Sequence, residues 1–151
     1  REYGFHTSMI ESSMMVNDKM PEYTVDRAAQ VLNRLKKPLN GSKVLVLGVA
    51  YKNDIDDYRE SPAIAVIEVL KARGADVQFF DPYITTFRHK GKTYRGMESL
   101  SAKDMADADL VMITTAHQVY DYPMILKNAK AIFDARHAIQ NPERYENVET
   151  L

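Results

Sequence analysis

The feature that most constrains this chain is the run Lys43-Val44-Leu45-Val46-Leu47-Gly48-Val49-Ala50. It is short and continuously apolar, the pattern of a strand buried on both faces. Ser61-Pro62 then opens a helix, with serine as N-cap and proline at the first helical position. That helix carries Ile64, Val66, Ile67, Val69 and Leu70, and stops at Arg73-Gly74, a cation in the last turn followed by a glycine. Ala75 to Phe80 reads as a second strand, closed by Asp81-Pro82. Strand, helix and strand in this order make a βαβ unit, parallel and right-handed in nearly all cases.

The same rhythm continues. Tyr83 to Lys103 is polar and locally basic, and reads as a loop with a short strand at Thr93-Tyr94. A helical turn near Ser101 to Ala106 leads to Leu110-Val111-Met112-Ile113-Thr114, a third buried strand. A helix from Tyr122 to Asn128 precedes a fourth strand, Ala131 to Asp134, and the tail from His137 onward is weakly patterned. The expected fold class is therefore α/β: a Rossmann-like parallel sheet with helices on both faces.

The segment before Pro38 reads differently. It holds Met9, Met14, Met15 and Met20, and Met9, Ser13, Val16 and Met20 recur at helical spacing with a second stripe at Ile10 and Met14. Beyond Pro21, Val25, Ala28, Ala29, Leu32 and Leu35 resume the period. A long N-terminal helix is predicted from Thr7 to Asn33, interrupted or kinked at Pro21. Apolar residues on two faces call for two sets of neighbours. Both an ordinary core helix and a helix packing on another domain or subunit fit that pattern. The expected division is 1–38 as a helical region and 39–151 as the Rossmann-like domain.

Composition narrows the function classes. The chain has 151 residues, with Lys+Arg 20 against Asp+Glu 21, a net charge of −1. There is no broad basic field for non-specific nucleic-acid binding. Zero cysteines remove disulfides, thiolate metal sites and a cysteine nucleophile, and suit a reducing cytoplasm. No apolar run approaches the roughly 18 residues of a membrane span, and no signal peptide is visible. The chain opens with Arg1, and is expected to be a piece of something larger.

In such sheets ligands bind beyond the carboxyl ends of the strands. A dinucleotide fingerprint would place three glycines after the first strand, and only Gly48 is present. The loop instead holds Tyr51, Lys52 and Arg59 beside Asp54, Asp56, Asp57 and Glu60. Lysine and arginine can take phosphate oxygens, and the helix starting near Ser61 adds a positive dipole end. A solvated charged loop is the plain alternative, and Mg²⁺ on Asp54, Asp56 and Asp57 the less favoured one. Asp81 sits where a dinucleotide-binding domain places its ribose-binding acid, but before Pro82 it reads equally as a turn-former. Arg136, beyond the fourth strand, is either a clamp for a phosphate or a base edge, or one half of a surface ion pair. His117 points toward the same rim, and a lone loop histidine is more often structural or solvated than catalytic.

The combination G-x-A-Y-K at Gly48–Lys52 with D-x-D-D-x-R-E-S-P at Asp54–Pro62 closely resembles the UDP-binding domain of the UDP-glucose/GDP-mannose dehydrogenase family. The segment from Arg1 to Val25 resembles that family's central helical region, and Phe-Asp-Ala-Arg at Phe133–Arg136 fits too. Within the family, the I-D-D-x-R-E-S-P variant with Tyr51 is most similar to UDP-N-acetylglucosamine 6-dehydrogenases. The resemblance implies an NAD-dependent oxidation of C6 of a nucleotide sugar, with NAD held by an N-terminal domain and a thiohemiacetal formed on a central cysteine. It implies that Tyr51, Lys52 and Arg136 contact the UDP-sugar, that Arg59 reaches NAD across a cleft, and that the central helix builds a homodimer. This chain departs from the pattern at Asn53, where many members carry proline or lysine, and at His137, where many carry asparagine. Lacking the cysteine and the glycine fingerprint, it is expected to bind UDP without dehydrogenase activity of its own. A dimerisation module without autonomous ligand binding is the alternative; an independent NAD-binding regulator rests on Asp81 and the fold alone.

Overall fold

The computed structural model describes residues 20–50, 58 and 61–151. Helix α1 is described over residues 20–34 and turns Thr24, Val25, Ala28, Val31 and Leu32 inward. It ends one residue beyond the expected Asn33. Lys36 adopts a left-handed φ of 61°, the Lys37 amide bonds the Leu32 carbonyl and the Lys36 amide bonds that of Asn33. This is a Schellman closure, and Pro38 prevents any resumption of the helix. The expected helical stretch from Thr7 to residue 19 lies outside the described residues, whereas Pro21 itself stands within α1 as its second described residue.

Strand β1 (Lys43–Leu47) is followed by α2 (Pro62–Ala72) and β2 (Asp76–Phe80). The Ser61 side chain accepts the Ala63 amide, as its N-cap position requires. At the other end Gly74 has φ 92°, with its amide on Lys71 and the Ala75 amide on Leu70. A Cβ there would lie 2.1 Å from the Asn40 side-chain oxygen, so both backbone and space demand glycine. β1 and β2 pair in parallel, Lys43 opposite Asp76 through Leu47 opposite Phe80.

The region expected to be a loop with one short strand is instead an antiparallel hairpin, β3 (Thr86–His89) and β4 (Lys92–Arg95). Lys90 and Gly91, with φ 52° and 77°, form its two-residue turn, the left-handed pair that matches strand twist. Phe87 holds the hairpin down: it is 2% exposed, stacks on Tyr94 at 4.8 Å and packs against Phe79 at 5.2 Å.

Helix α3 (Ala102–Asp107), strand β5 (Leu110–Ile113), helix α4 (Tyr122–Asn128) and strand β6 (Ile132–Asp134) follow at the expected places. Ser101 and Asp104 form a reciprocal capping box at the start of α3. The weakly patterned tail supplies a 3-10 turn (Pro142–Arg144) and a further strand, β7 (Val148–Thr150). β7 is short and half-buried at the sheet edge, which is why it carries no periodic signal.

The five-stranded sheet runs β2-β1-β5-β6-β7, all neighbours parallel. Alternation within β1 feeds two cores. Val44 and Val46 join Val25, Leu32, Ile67, Leu70 and Phe133 under α1 and α2. Leu45 and Leu47 join Met105, Ile113, Ile125 and Ile132 under α3 and α4. Both faces are covered, as expected. The described part of α1 shares the first core and is tied to β7, where Glu149 accepts from Arg27 and Arg34.

Candidate functional site

The strand order reverses between β1 and β5, so the crevice at their carboxyl ends is where a ligand is expected. Gly48, directly after β1, has φ 101°, and a Cβ on it would lie 2.4 Å from the Thr115 Cβ. Thr114 donates its hydroxyl to the Gly48 carbonyl at 2.6 Å, and Thr115 donates to that of Ala50 at 3.0 Å. The single glycine of the turn therefore serves the close approach of a neighbouring loop. These two threonines were absent from the sequence-based candidates; their apolar-to-polar change at the end of β5 was the available signal.

Asp81 closes β2 and is 1% exposed. Its Oδ2 accepts the amides of Val49 at 2.8 Å and Ala50 at 3.1 Å, and Oδ1 accepts the Tyr83 amide at 2.8 Å. His117 Nε2 lies 2.9 Å from Oδ2, with neither side chain reaching solvent. Burial pushes the Asp81 carboxyl up, but the hydrogen bonds from His117, Tyr83 and Val49, with the attraction of His117, outweigh it and hold the carboxyl below its ordinary range. Asp81 is thus the turn-former of its two readings, committed to internal donors. In a dinucleotide-binding domain the amides after β1 face the pyrophosphate and the acid after β2 faces a ribose. Here both are spent on each other, so the described residues do not fit a dinucleotide at this turn.

His117 is fully buried, which excludes the solvated reading of a lone loop histidine. Tyr83 and Tyr120 meet its ring edge-on at 5.0 and 5.4 Å. The Tyr120 hydroxyl is buried without a hydrogen-bond partner among the described residues. Burial first, then the negative Asp81 nearby, raises its pKa and keeps the phenol neutral.

Asp134, closing β6, repeats the Asp81 arrangement. It is fully buried and accepts the amides of Arg136, Ala138 and Ile139 at 3.1, 3.0 and 2.8 Å. The chain can wrap this carboxylate because His137 takes a left-handed φ of 54°, a conformation that asparagine and histidine tolerate better than most residues. Arg136 is thereby presented at the rim. One guanidinium nitrogen donates to the Thr114 carbonyl at 3.3 Å, and no carboxylate pairs with it among the described residues. The surface ion pair considered for Arg136 is therefore not formed there.

Arg136 lines a groove of about 500 Å³. Met20, Pro21 and Thr24 of α1, Pro62, Ala63 and Val66 of α2, and Leu151 form much of its wall, which is mainly apolar. The groove lies beside the amino end of α2, whose dipole is positive there. Tyr51, Lys52 and Arg59 lie outside the described residues, as do Asp54, Asp56 and Asp57. Among the described residues no cluster of three or more acids and histidines is placed to hold a metal ion. No described helix is long and apolar enough to cross a membrane.

The family model for the UDP binding domain of the UDP-glucose/GDP-mannose dehydrogenases matches residues 45–141. Protein CapL of Staphylococcus aureus is 26% identical over 148 residues, covering 95% of this chain and 34% of CapL. The UDP-glucose 6-dehydrogenase AglM of Haloferax volcanii is 33% identical over 115 residues, covering 76% of this chain and 26% of AglM. Among solved structures, the NDP-N-acetyl-D-galactosaminuronic acid dehydrogenase of Methanosarcina mazei superposes with a TM-score of 0.73 at 27% identity, over 91% of this chain and 30% of that one. The chain thus spans about a third or less of the length of these relatives.

Proposed function

The chain belongs to the UDP-glucose/GDP-mannose dehydrogenase family, and from that premise we propose that it is the UDP-sugar-binding part of an NAD-dependent nucleotide-sugar 6-dehydrogenase. The observation that carries the reading in this structure is Arg136, its guanidinium largely unpartnered among the described residues, at a mainly apolar groove on the carboxyl side of the sheet. A flat pyrimidine and ribose suit apolar walls, and a guanidinium suits diphosphate oxygens. Tyr51 and Lys52, in the loop that leaves β1, are proposed to complete the contact.

Binding energy collected at the nucleotide would orient the distant sugar carbon in the whole enzyme. UDP-hexoses are the proposed substrate class. The relatives include enzymes named for UDP-glucose and for UDP-N-acetyl-D-mannosamine, and UDP-N-acetylglucosamine belongs to the same chemical class. Since the described residues of the turn after β1 do not fit a dinucleotide, NAD, and with it the proposed role of Arg59, is assigned to a cleft with another domain. The 151 residues include no cysteine, so no thiohemiacetal can form on them. The chain by itself is proposed to bind UDP and to lack dehydrogenase activity.

Calorimetric titration with UDP tests the reading. Saturable binding that Arg136→Ala weakens at least tenfold supports it, whereas a chain that takes up no UDP at millimolar concentration overturns autonomous binding. The second reading, a dimerisation module built on residues 1–38, is favoured by the predicted two-faced helix. Sedimentation of chains with and without those residues separates the two; an unchanged oligomeric state excludes the helix as an interface.

A further inference from the structure

The buried Asp81–His117 pair has no part in the proposed contact with UDP, yet Asp81 holds the amides of Val49 and Ala50, the two residues that precede Tyr51 and Lys52 in the chain. We infer that Asp81 and His117 act on UDP affinity as positioning residues, by fixing the backbone of Val49 and Ala50, from which the chain runs on to Tyr51 and Lys52. The inference rests on the proposal that Tyr51 and Lys52 contact the UDP-sugar.

The geometry converges on one residue. The Ala50 amide is held by Asp81 Oδ2 at 3.1 Å, alongside that of Val49 at 2.8 Å. The Ala50 carbonyl accepts from Thr115 Oγ1 at 3.0 Å and from Ser61 Oγ at 3.3 Å. Ala50 is thus fixed through both its amide and its carbonyl, one residue before Tyr51. Asp81 accepts three backbone amides and its carboxyl is held below the ordinary range, so it faces His117 as a carboxylate and Nε2 carries the hydrogen that it accepts. Tyr83 and Tyr120 pack edge-on against the imidazole, at 5.0 and 5.4 Å.

A buried ionisable pair is a poor way to gain stability, because apolar residues of the same volume usually serve as well. What it supplies is direction. A carboxylate aimed at two successive amides dictates their orientation, and a donor behind it keeps the carboxylate from turning away. Asp134 does the same for the amides around Arg136, so each proposed phosphate contact is preceded or flanked by backbone wrapped on a buried acid.

The test is UDP titration of the full chain, well below its melting temperature, for the wild type, Lys52→Ala, Asp81→Asn, His117→Leu and His117→Gln. Asp81→Asn and His117→Leu should each weaken UDP about tenfold. His117→Gln keeps an N–H for Asp81 and should recover most of that loss, even though it perturbs packing and lowers the melting temperature. Affinity that instead tracks melting temperature across the set would overturn the inference. Wild-type affinity in Asp81→Asn and His117→Leu, with binding lost in Lys52→Ala, overturns the positioning role and leaves the UDP reading intact. A wild type that binds no UDP overturns that reading instead. Amide hydrogen exchange at Val49 and Ala50 then decides: faster exchange in Asp81→Asn, with β5 amides unchanged, supports the positioning role, and unchanged exchange overturns it.

Discussion

His117 Nε2 meets Asp81 Oδ2 at 2.9 Å, across 36 residues of sequence and with both side chains out of water. Two residues that read separately as a rim histidine and a ribose-binding or turn-forming acid are one unit. The consequence is that the amides of Val49 and Ala50, directly after β1, are held by an anion of the protein's own, placed where related folds put a ligand's.

That placement makes stability depend on acid. The folded Asp81 carboxyl lies below its ordinary value, despite burial, because of the donors gathered on it. A carboxyl depressed on folding adds stability above its unfolded pKa of about 3.9, and that stability is lost as pH falls through the folded value. Asp81→Asn should cost about 1–3 kcal/mol at pH 7. In urea unfolding series the gap between wild type and variant should stay level above about pH 5 and close below about pH 4. A gap independent of pH down to 3 would show that the ionised form contributes nothing.

Gly48→Ala should be among the most damaging single changes. The new Cβ meets Thr115 at 2.4 Å, and the backbone is left-handed at φ 101°. Strain and overpacking together predict a loss of about 3–5 kcal/mol. Gly91→Ala, at φ 77° with nothing within 4 Å, isolates the backbone contribution and should cost about 1–2 kcal/mol. Equal losses in the two variants would mean that the Thr115 contact is not limiting.

Arg136→Lys should behave as a loss-of-binding variant rather than a conservative one. A lysine ammonium is a single point charge and lacks the planar fork that matches phosphate oxygens. UDP affinity should fall at least about tenfold. Stability should change by no more than about 0.5 kcal/mol, since the side chain is only partly buried and makes one long bond. Calorimetry and thermal unfolding read the two effects separately.

Leu32→Ala asks whether residues 20–34 fold with the sheet. Leu32 is fully buried in the core shared by β1, α2 and β6. Its truncation should lower one common unfolding transition by about 2–5 kcal/mol. Two separated transitions would support the expected boundary at residue 38 as a true division of the fold.

Much of this architecture could be read directly from the chain. The apolar run of β1, the Ser61-Pro62 start and the Arg73-Gly74 stop each lie within a few residues, where period and cap chemistry act. The hairpin escaped because Arg88, His89, Lys90 and Lys92 hide the one anchor, Phe87, whose role depends on Phe79 and Tyr94. β7 escaped because a three-residue edge strand needs no alternation of its own once β6 offers a partner. At the site, Arg136 was visible as a cation beyond a strand. What holds it out, the Asp134 carboxylate wrapped by three amides, was not.

The amino-acid order alone determined the βαβ frame, the strand sequence along the chain and the lack of a glycine-rich dinucleotide turn, since these follow from neighbours in the polypeptide. Tertiary structure alone decided that Asp81 answers to His117 and to the amides of Val49 and Ala50, and that Arg136 lines the groove beneath α1 and α2. Burial creates those partnerships: a carboxylate removed from water must find donors wherever the fold brings them, and no local pattern records which ones arrive.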